Sequence, residues 1–237
     1  MAGLRDRLKA KWSGFLQRAG VVDRRQIDLD PEGPEGVTYR GHREYVGGLW
    51  EEMGALQFAY LKQCGLQPEH VLLDIACGSL RLGVHAIPYL HPGHYLGIEK
   101  ESELIRAGVE IELGPERMAR FGPRLYVNDQ FDFDVFGQSV NIAVAQSLFS
   151  HLPARMIKDC LRKLHPCLLP DGVFYATFFE VEEPHQNPID PHDHGFFAFT
   201  RTEMESFGLE EGFTPEYIGD WGHPRGQMMM AYRVNHV

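Results

Sequence analysis

Apolar and polar positions change period several times along the chain, and the changes mark out its elements. Near the start, Leu4, Leu8, Trp12, Phe15 and Leu16 recur at helical spacing among Arg5, Arg7, Lys9, Lys11 and Arg18, which predicts a basic amphipathic helix. Residues 22–41 are polar and contain "DLDPEGPEG", a linker or extended arm. "REYVGGLWEEMGALQFAYLKQCGL" restores the helical period until Gly65 and Pro68 stop it. Short apolar runs then alternate with amphipathic ones. "HVLLDIA" predicts a strand and 80–90 a helix, and "HYLGIEK" and "SELIRAGVEIEL" repeat the pair. "RLYVND" and "VNIAVAQS" predict strands three and four, "ARMIKDCLRKLHPCL" a helix closed by "LPDG", and "VFYATFFE" strand five. "PHQNPIDPHDHGFFAFT" interrupts the alternation as a long loop or lid over 184–200. "RTEMESFGLEEGF" predicts a further helix, and "EYIGDW" and "QMMMAYRV" two closing strands.

Strands apolar on both faces, separated by helices, predict an α/β fold: a Rossmann-like, doubly wound, mostly parallel seven-stranded sheet covered on both sides. Residues 1–45 form an N-terminal extension of amphipathic helix and arm, and 46–237 one domain. At 237 residues, 43% hydrophobic and 24% charged, the chain is an ordinary globular protein, which excludes disordered and fibrous classes. Its net charge of -10 argues against a nucleic-acid partner. No apolar run approaches the roughly 20 residues that span a bilayer, and the start lacks a signal-peptide apolar region, so a cytoplasmic protein without a transmembrane segment is expected. The basic helix is read as packing on its own domain or a partner, or as a peripheral membrane contact. Monomer and homodimer are equally compatible with it. Cys64, Cys77, Cys160 and Cys167 show no zinc spacing and are read as reduced thiols, with Cys160 and Cys167 packing around a helix.

In open parallel sheets, ligands bind beyond the carboxyl ends of the strands where the winding reverses. The first loop there holds the small residues Ala76, Cys77, Gly78 and Ser79, which let a ligand approach the backbone. Twenty-one residues past Gly78, Glu99 ends the second strand, where a carboxylate can accept hydrogen bonds from both vicinal hydroxyls of a ribose. The loop is not G-x-G-x-x-G: it reads A-C-G-S-L-R, and Asp74 before it repels a phosphate and welcomes a cation. A positively charged nucleoside fits better than a dinucleotide.

This stretch resembles motif I of class I S-adenosylmethionine-dependent methyltransferases, roughly D-x-G-x-G-x-G, with Asp74, Ala76 and Gly78 at its first three positions and Leu80 at its last. The resemblance covers roughly 46–233. "YLGIEK" is similar to the second-strand motif, "YVNDQFDF" to the third, "NIAVAQSLFSHLP" to the fourth, and "LLPDGVFYATFF" to the helix end, turn and fifth strand. It implies S-adenosylmethionine as cofactor, S-adenosylhomocysteine as product, and a one-carbon transferase. By resemblance, Asp74 meets the amino group of the methionine portion, directly or through water, and the 76–79 loop lies along it. Glu99, with Lys100 beside it, holds the ribose, and Asp129 the adenine amine. Gln146 and Ser147 face the sulfonium region. Residue chemistry leaves other roles open: a turn-initiating aspartate for Asp129, a helix cap for Gln146 and Ser147. Arg81 is read either as a partner of the methionine carboxylate or as a structural ion pair.

A hydroxyl acceptor needs a base for its proton, and His151 in "FSHLP" is the catalytic candidate, with helix capping as the alternative. The lid gathers His185, Asp190, His192, Asp193 and His194, which read as an acceptor lid, a hard divalent metal site or a solvated loop. The spacing matches no closed metal motif, and no metal is predicted. Trp221, His223 and Arg225 in "DWGHPRGQ" approach the pocket from the other side, and Tyr45 and Trp50 cap it. The substrate candidates are therefore Tyr45, Trp50, His185, His192, His194, Trp221 and His223. "GLWEEMGALQ" and "GDWGHPRGQMM" resemble methyltransferases of bacterial surface-glycan and secondary-metabolite pathways, which implies O-methylation of a small-molecule or glycan-like hydroxyl. The alternatives are N-methylation, a cofactor-using cyclase, or a non-catalytic scaffold that binds the cofactor.

Overall fold

A computed structural model describes residues 31–234. The basic helix expected near the start lies outside the described residues. Eight strands form: β1 (Leu72–Ile75), β2 (Tyr95–Glu99), β3 (Arg124–Val127), β4 (Val140–Ala145), β5 (Leu168–Glu180), β6 (Ala198–Phe199), β7 (Phe213–Asp220) and β8 (Met228–Val234). Seven lie in the order β3-β2-β1-β4-β5-β8-β7, and the two-residue β6 pairs with the end of β5. The first five are mutually parallel, and β8 runs antiparallel to both of its partners. This is the doubly wound, mostly parallel seven-stranded sheet that the alternation predicts. The winding reverses between β1 and β4, so the cleft for a ligand lies beyond Ile75 and Ala145.

Strand side chains alternate between two apolar layers. Leu73, Ile75, Ile98, Phe174 and Tyr232 enter the layer beneath α7 (Ala154–Leu164) and α8 (Arg201–Glu210), where Cys160 is fully buried. Leu72, Tyr95, Val144 and Met229 enter the layer shared with α3 (Trp50–Gln63). All four cysteines are free thiols. No helix of the described residues is long and apolar enough to cross a membrane.

Several elements differ from the expectation, for local reasons. The supposed linker over 22–41 holds a short helix, α1 (Gly33–Arg40), opened by Pro34 in its first turn with Glu35 beside it, and α2 (His42–Tyr45) follows it. Positive φ angles at Gly47, Gly48 and Leu49 then separate α2 from α3, breaking the helix that the period makes continuous. The helix expected over 80–90 shrinks to α4 (Gly83–Ala86), because Leu80 has φ 67° and cannot begin an α-helix, and Pro88 follows soon after. Helix α5 (Ser102–Ala107) runs on as a π-helical turn, Gly108–Leu113. Gly108 is needed there: a Cβ would stand 2.8 Å from the Ser79 carbonyl carbon and from Leu80 Cγ. α6 (Pro115–Phe121) follows before β3. The "LPDG" segment is drawn into β5 rather than forming a separate turn, with a register shift opposite Val140 and Ile142.

Candidate functional site

The β1 loop turns back on itself through three residues in the left-handed region, Ala76 (φ 59°), Gly78 (φ 56°) and Leu80 (φ 67°). Those are the three positions where the D-x-G-x-G-x-G pattern has glycine, so two side-chain-bearing residues accept the glycine conformation at a cost of about 1 kcal/mol each. Packing holds the loop: Leu80 is fully enclosed in the apolar layer, and beside Ala76 the Cys77 N–H donates to the Ile98 carbonyl (3.0 Å). The Glu99 carboxylate closes the loop. It accepts from the Gly78 N–H (3.0 Å) and the Glu101 N–H (3.1 Å), one on each oxygen. Burial raises the Glu99 carboxyl above its usual range, and those backbone donors with the Lys100 ammonium offset part of the rise. Asp74, also buried, accepts from the Tyr95 hydroxyl (2.6 Å). Burial pushes its carboxyl up to about 7, against the pull of Tyr95 and the Arg81 guanidinium.

An arm of α1, α2 and the turn after them lies over this loop. A Cβ on Gly78 would stand 2.9 Å from Val46 Cγ1. His42 Nδ1 meets the buried Ser79 Oγ at 3.0 Å, and its other nitrogen lies 3.4 Å from Glu112. Arg43 grips the same glutamate through two nitrogens (2.6 and 2.7 Å) and stacks over Trp50. Arg81 donates to the Val46 and Gly48 carbonyls (3.1 Å each) and to Gln146. Arg225 donates to the Gly47 carbonyl.

Beyond β4 the polar groups are side chains. Gln146 accepts from Gln57 (2.8 Å) and meets His223 Nε2 (3.1 Å) and Ser147. Ser147, in the left-handed region at φ 60°, donates its N–H to the Thr177 hydroxyl oxygen (2.7 Å) and its own hydroxyl to Gln227 (3.0 Å). Burial lowers His223 to about 4, with Arg225 and Arg81 adding to it, so the ring is neutral at neutral pH. Trp221 lies against it, ring centres 5.5 Å apart. His151 follows in a short 3-10 turn. Burial lowers its pKa, and Nδ1 finds no hydrogen-bond partner among the described residues.

The lid residues cross the cleft. The His192 N–H donates to the His151 carbonyl (3.2 Å) and the Phe197 N–H to the Ser150 carbonyl (3.0 Å), which anchors the loop beside β4. Asp193 then reaches the β2 side, where Lys100 Nζ is 2.6 Å away, and accepts from the arm's Tyr45 hydroxyl (2.5 Å). His194 packs edge-on to Tyr45, and His192 meets Glu32 at 3.0 Å.

Asp74, residues 76–79, Glu99 and Lys100 thus share one end of the cleft. Gln146, Ser147, His223 and Trp221 share the other, and His151, His192, His194 and Tyr45 meet beneath and within the lid. Trp50 is buried in the arm wall against His42. Asp129 stands apart. It is exposed, one residue beyond the Asn128 N–H that pairs with the Glu99 carbonyl, and the turn is closed by Asn128. His185 is exposed, edge-on to Phe196. Among the described residues no group of three or more His, Cys, Asp or Glu is arranged to hold a metal. Sequence reasoning missed His42, Gln57, Tyr95, Thr177 and Gln227. Gln57 had a signal, a polar residue on the buried face of an apolar helix, as had Thr177 inside an apolar strand.

No family model matches the chain. Solved structures do. Magnesium protoporphyrin IX methyltransferase from Synechocystis PCC 6803 with bound SAM matches at a TM-score of 0.60 and 11% identity, over 78% of this chain and 79% of that one. The sugar N-methyltransferase KedS8 from Streptoalloteichus sp ATCC 53650 matches at 0.59 and 18%, over 87% and 95%. The mitomycin 7-O-methyltransferase MmcR matches at 0.57 and 13%, over 76% and 54%. At such identities the likeness is one of fold, and the fold is that of the class I SAM-dependent methyltransferases.

Proposed function

We propose that the chain is a SAM-dependent methyltransferase that acts on a hydroxyl of a small-molecule or glycan-like acceptor. The observation that carries the reading is the pair of buried carboxylates, Asp74 and Glu99, at the ends of adjacent parallel strands with the Gly78 backbone between them. The residues fit the cofactor by their own chemistry. Glu99 is held by two N–H donors and keeps lone pairs on both oxygens for a vicinal diol. Asp74, raised to about 7, is a carboxylate that gains most from a cationic partner. SAM supplies a methyl group made electrophilic by its sulfonium.

The chain's own residues then have three tasks. Asp74 and Glu99 fix the two ends of the nucleoside-amino acid ligand. Val46, Trp50 and the lid exclude water above the loop, which strengthens every electrostatic contact inside. His151, in the turn after β4 with a ring that burial keeps neutral, takes the acceptor's proton. The acceptor class rests on the sequence resemblance, and the loop anchored across the cleft favours a small acceptor over a macromolecule. An amine acceptor is the second reading, favoured by the coverage shared with the sugar N-methyltransferase.

The test is methyl transfer from labelled SAM to a panel of hydroxylated and amino sugars and small phenols, with product mass and fragmentation locating the new methyl group. O-methylated product that disappears in His151→Ala supports the reading. N-methylated product with little dependence on His151 moves it to the second. Cofactor binding without transfer to any acceptor leaves a scaffold.

A further inference from the structure

The acceptor loop is not a free flap. Its anchors at His192 and Phe197 lie beside β4, and Asp193 reaches Lys100 at the end of β2, so in the order β3-β2-β1-β4 the loop passes over the end of β1 and the 76–80 loop. The arm passes over the same loop, with Val46 against Gly78. Loop and arm meet where His194 packs on Tyr45, where His192 meets Glu32, and at the Asp193 carboxylate, which also reaches the end of β2. One Asp193 oxygen pairs with Lys100, and the other accepts from the Tyr45 hydroxyl and, at 3.5 Å, from the Gly33 N–H. Lys100 also touches Glu101 (3.2 Å), whose carboxylate faces Gly33. Burial alone would raise the Asp193 carboxyl, but Lys100 and Tyr45 bring it below the usual carboxylate range. Three segments far apart in sequence are therefore fastened over the cofactor loop by a half-buried ionised group.

We propose that Asp193 is a positioning residue that fastens the acceptor loop and the arm over the cofactor site and thereby sets how fast the cofactor enters and leaves. The proposal rests on the cofactor reading above. Asp193 touches neither the β1 loop nor the ribose carboxylate; it acts through Lys100 and Tyr45. Breaking a charge-assisted pair that holds a cover in place shows first in dissociation rates, on the order of tenfold for one such pair.

The experiment is stopped-flow measurement of S-adenosylhomocysteine association and dissociation on the full chain, for wild type, Asp193→Asn, Asp193→Ala, Lys100→Met and Tyr45→Phe, with the thermal midpoint of each free protein. The expected result is that both rates rise roughly tenfold in Asp193→Ala and by less in Asp193→Asn, with Kd moving less than either rate. Tyr45→Phe in the Asp193→Ala background should add little, because the two act as one contact. A lowered midpoint with unchanged exchange rates in every Asp193 variant would overturn the proposal and make the residue a plain surface tie. Failure of the wild-type chain to bind the ligand would instead overturn the cofactor reading.

Discussion

The loop after β1 and the loop after β5 cover the same cleft and are held in opposite ways. The β1 loop is made by its own neighbourhood: buried Cys77 and Leu80, two strand-end carboxylates, and the Gly78 and Glu101 N–H groups that both donate to Glu99. The 181–197 loop is made by distant partners, since Tyr45 and Asp193 lie 148 positions apart and Arg155 reaches Asp190 across an exposed surface. A contact built from backbone and core survives sequence change around it. One built from an exposed side-chain pair, such as Arg155 with Asp190, is worth little alone, about 0–1 kcal/mol, and is easily exchanged for another. On the proposed function, the cofactor end of the cleft is the fixed part of this protein, and the acceptor end is the part free to set specificity.

Substitutions separate the two ends, and the largest effect is at the acceptor end. His151→Ala should lower turnover about 10²- to 10⁴-fold while leaving SAM affinity within about threefold, read from steady-state kinetics on an O-acceptor. At the cofactor end, Gly78→Ala combines positive φ with a Cβ 2.9 Å from Val46, and should weaken SAM binding roughly tenfold by calorimetry.

The next test is pH. Asp74 sits at about 7 in the free protein, and a cationic ligand selects its ionised form. SAM affinity should therefore fall by up to about tenfold per pH unit below 7 and level off above it, with proton release on binding visible as buffer-dependent heats. Tyr95→Phe removes a donor that lowers the Asp74 carboxyl, so it should move this window to higher pH. In the free protein the same group acts in the other sense. Its folded value lies above 3.8, so its contribution to stability is complete below about pH 4 and is lost as pH rises through about 7.

The smallest effect is at Ala76. Ala76→Gly relieves positive φ but loosens the unfolded chain, for a net gain of about 1 kcal/mol or less and a thermal midpoint about 2–4 °C higher.

The same contrast explains what the sequence made legible. The alternation of strands and helices, the β1 loop and the acid at Glu99 follow from short apolar runs and short spacings, which are local properties. The arm was read as a linker because its helices are one and two turns long and gain their packing from Ser79, Glu112 and Asp193, none of them nearby in sequence. Leu80 was read as a helix start because it falls on the apolar period of 80–90, whereas its buried place in the loop holds it at positive φ. The chain of Gln57, Gln146 and His223 was invisible for the same reason: each member comes from a different element.

Calorimetric titration of the full chain with SAM and S-adenosylhomocysteine, with NAD and Glu99→Ala as controls, bears most directly on the central claim. The account predicts micromolar binding of both sulfur ligands, none of NAD, and at least a hundredfold loss in Glu99→Ala. Binding of neither sulfur ligand, or binding that Glu99→Ala leaves unchanged, would contradict it.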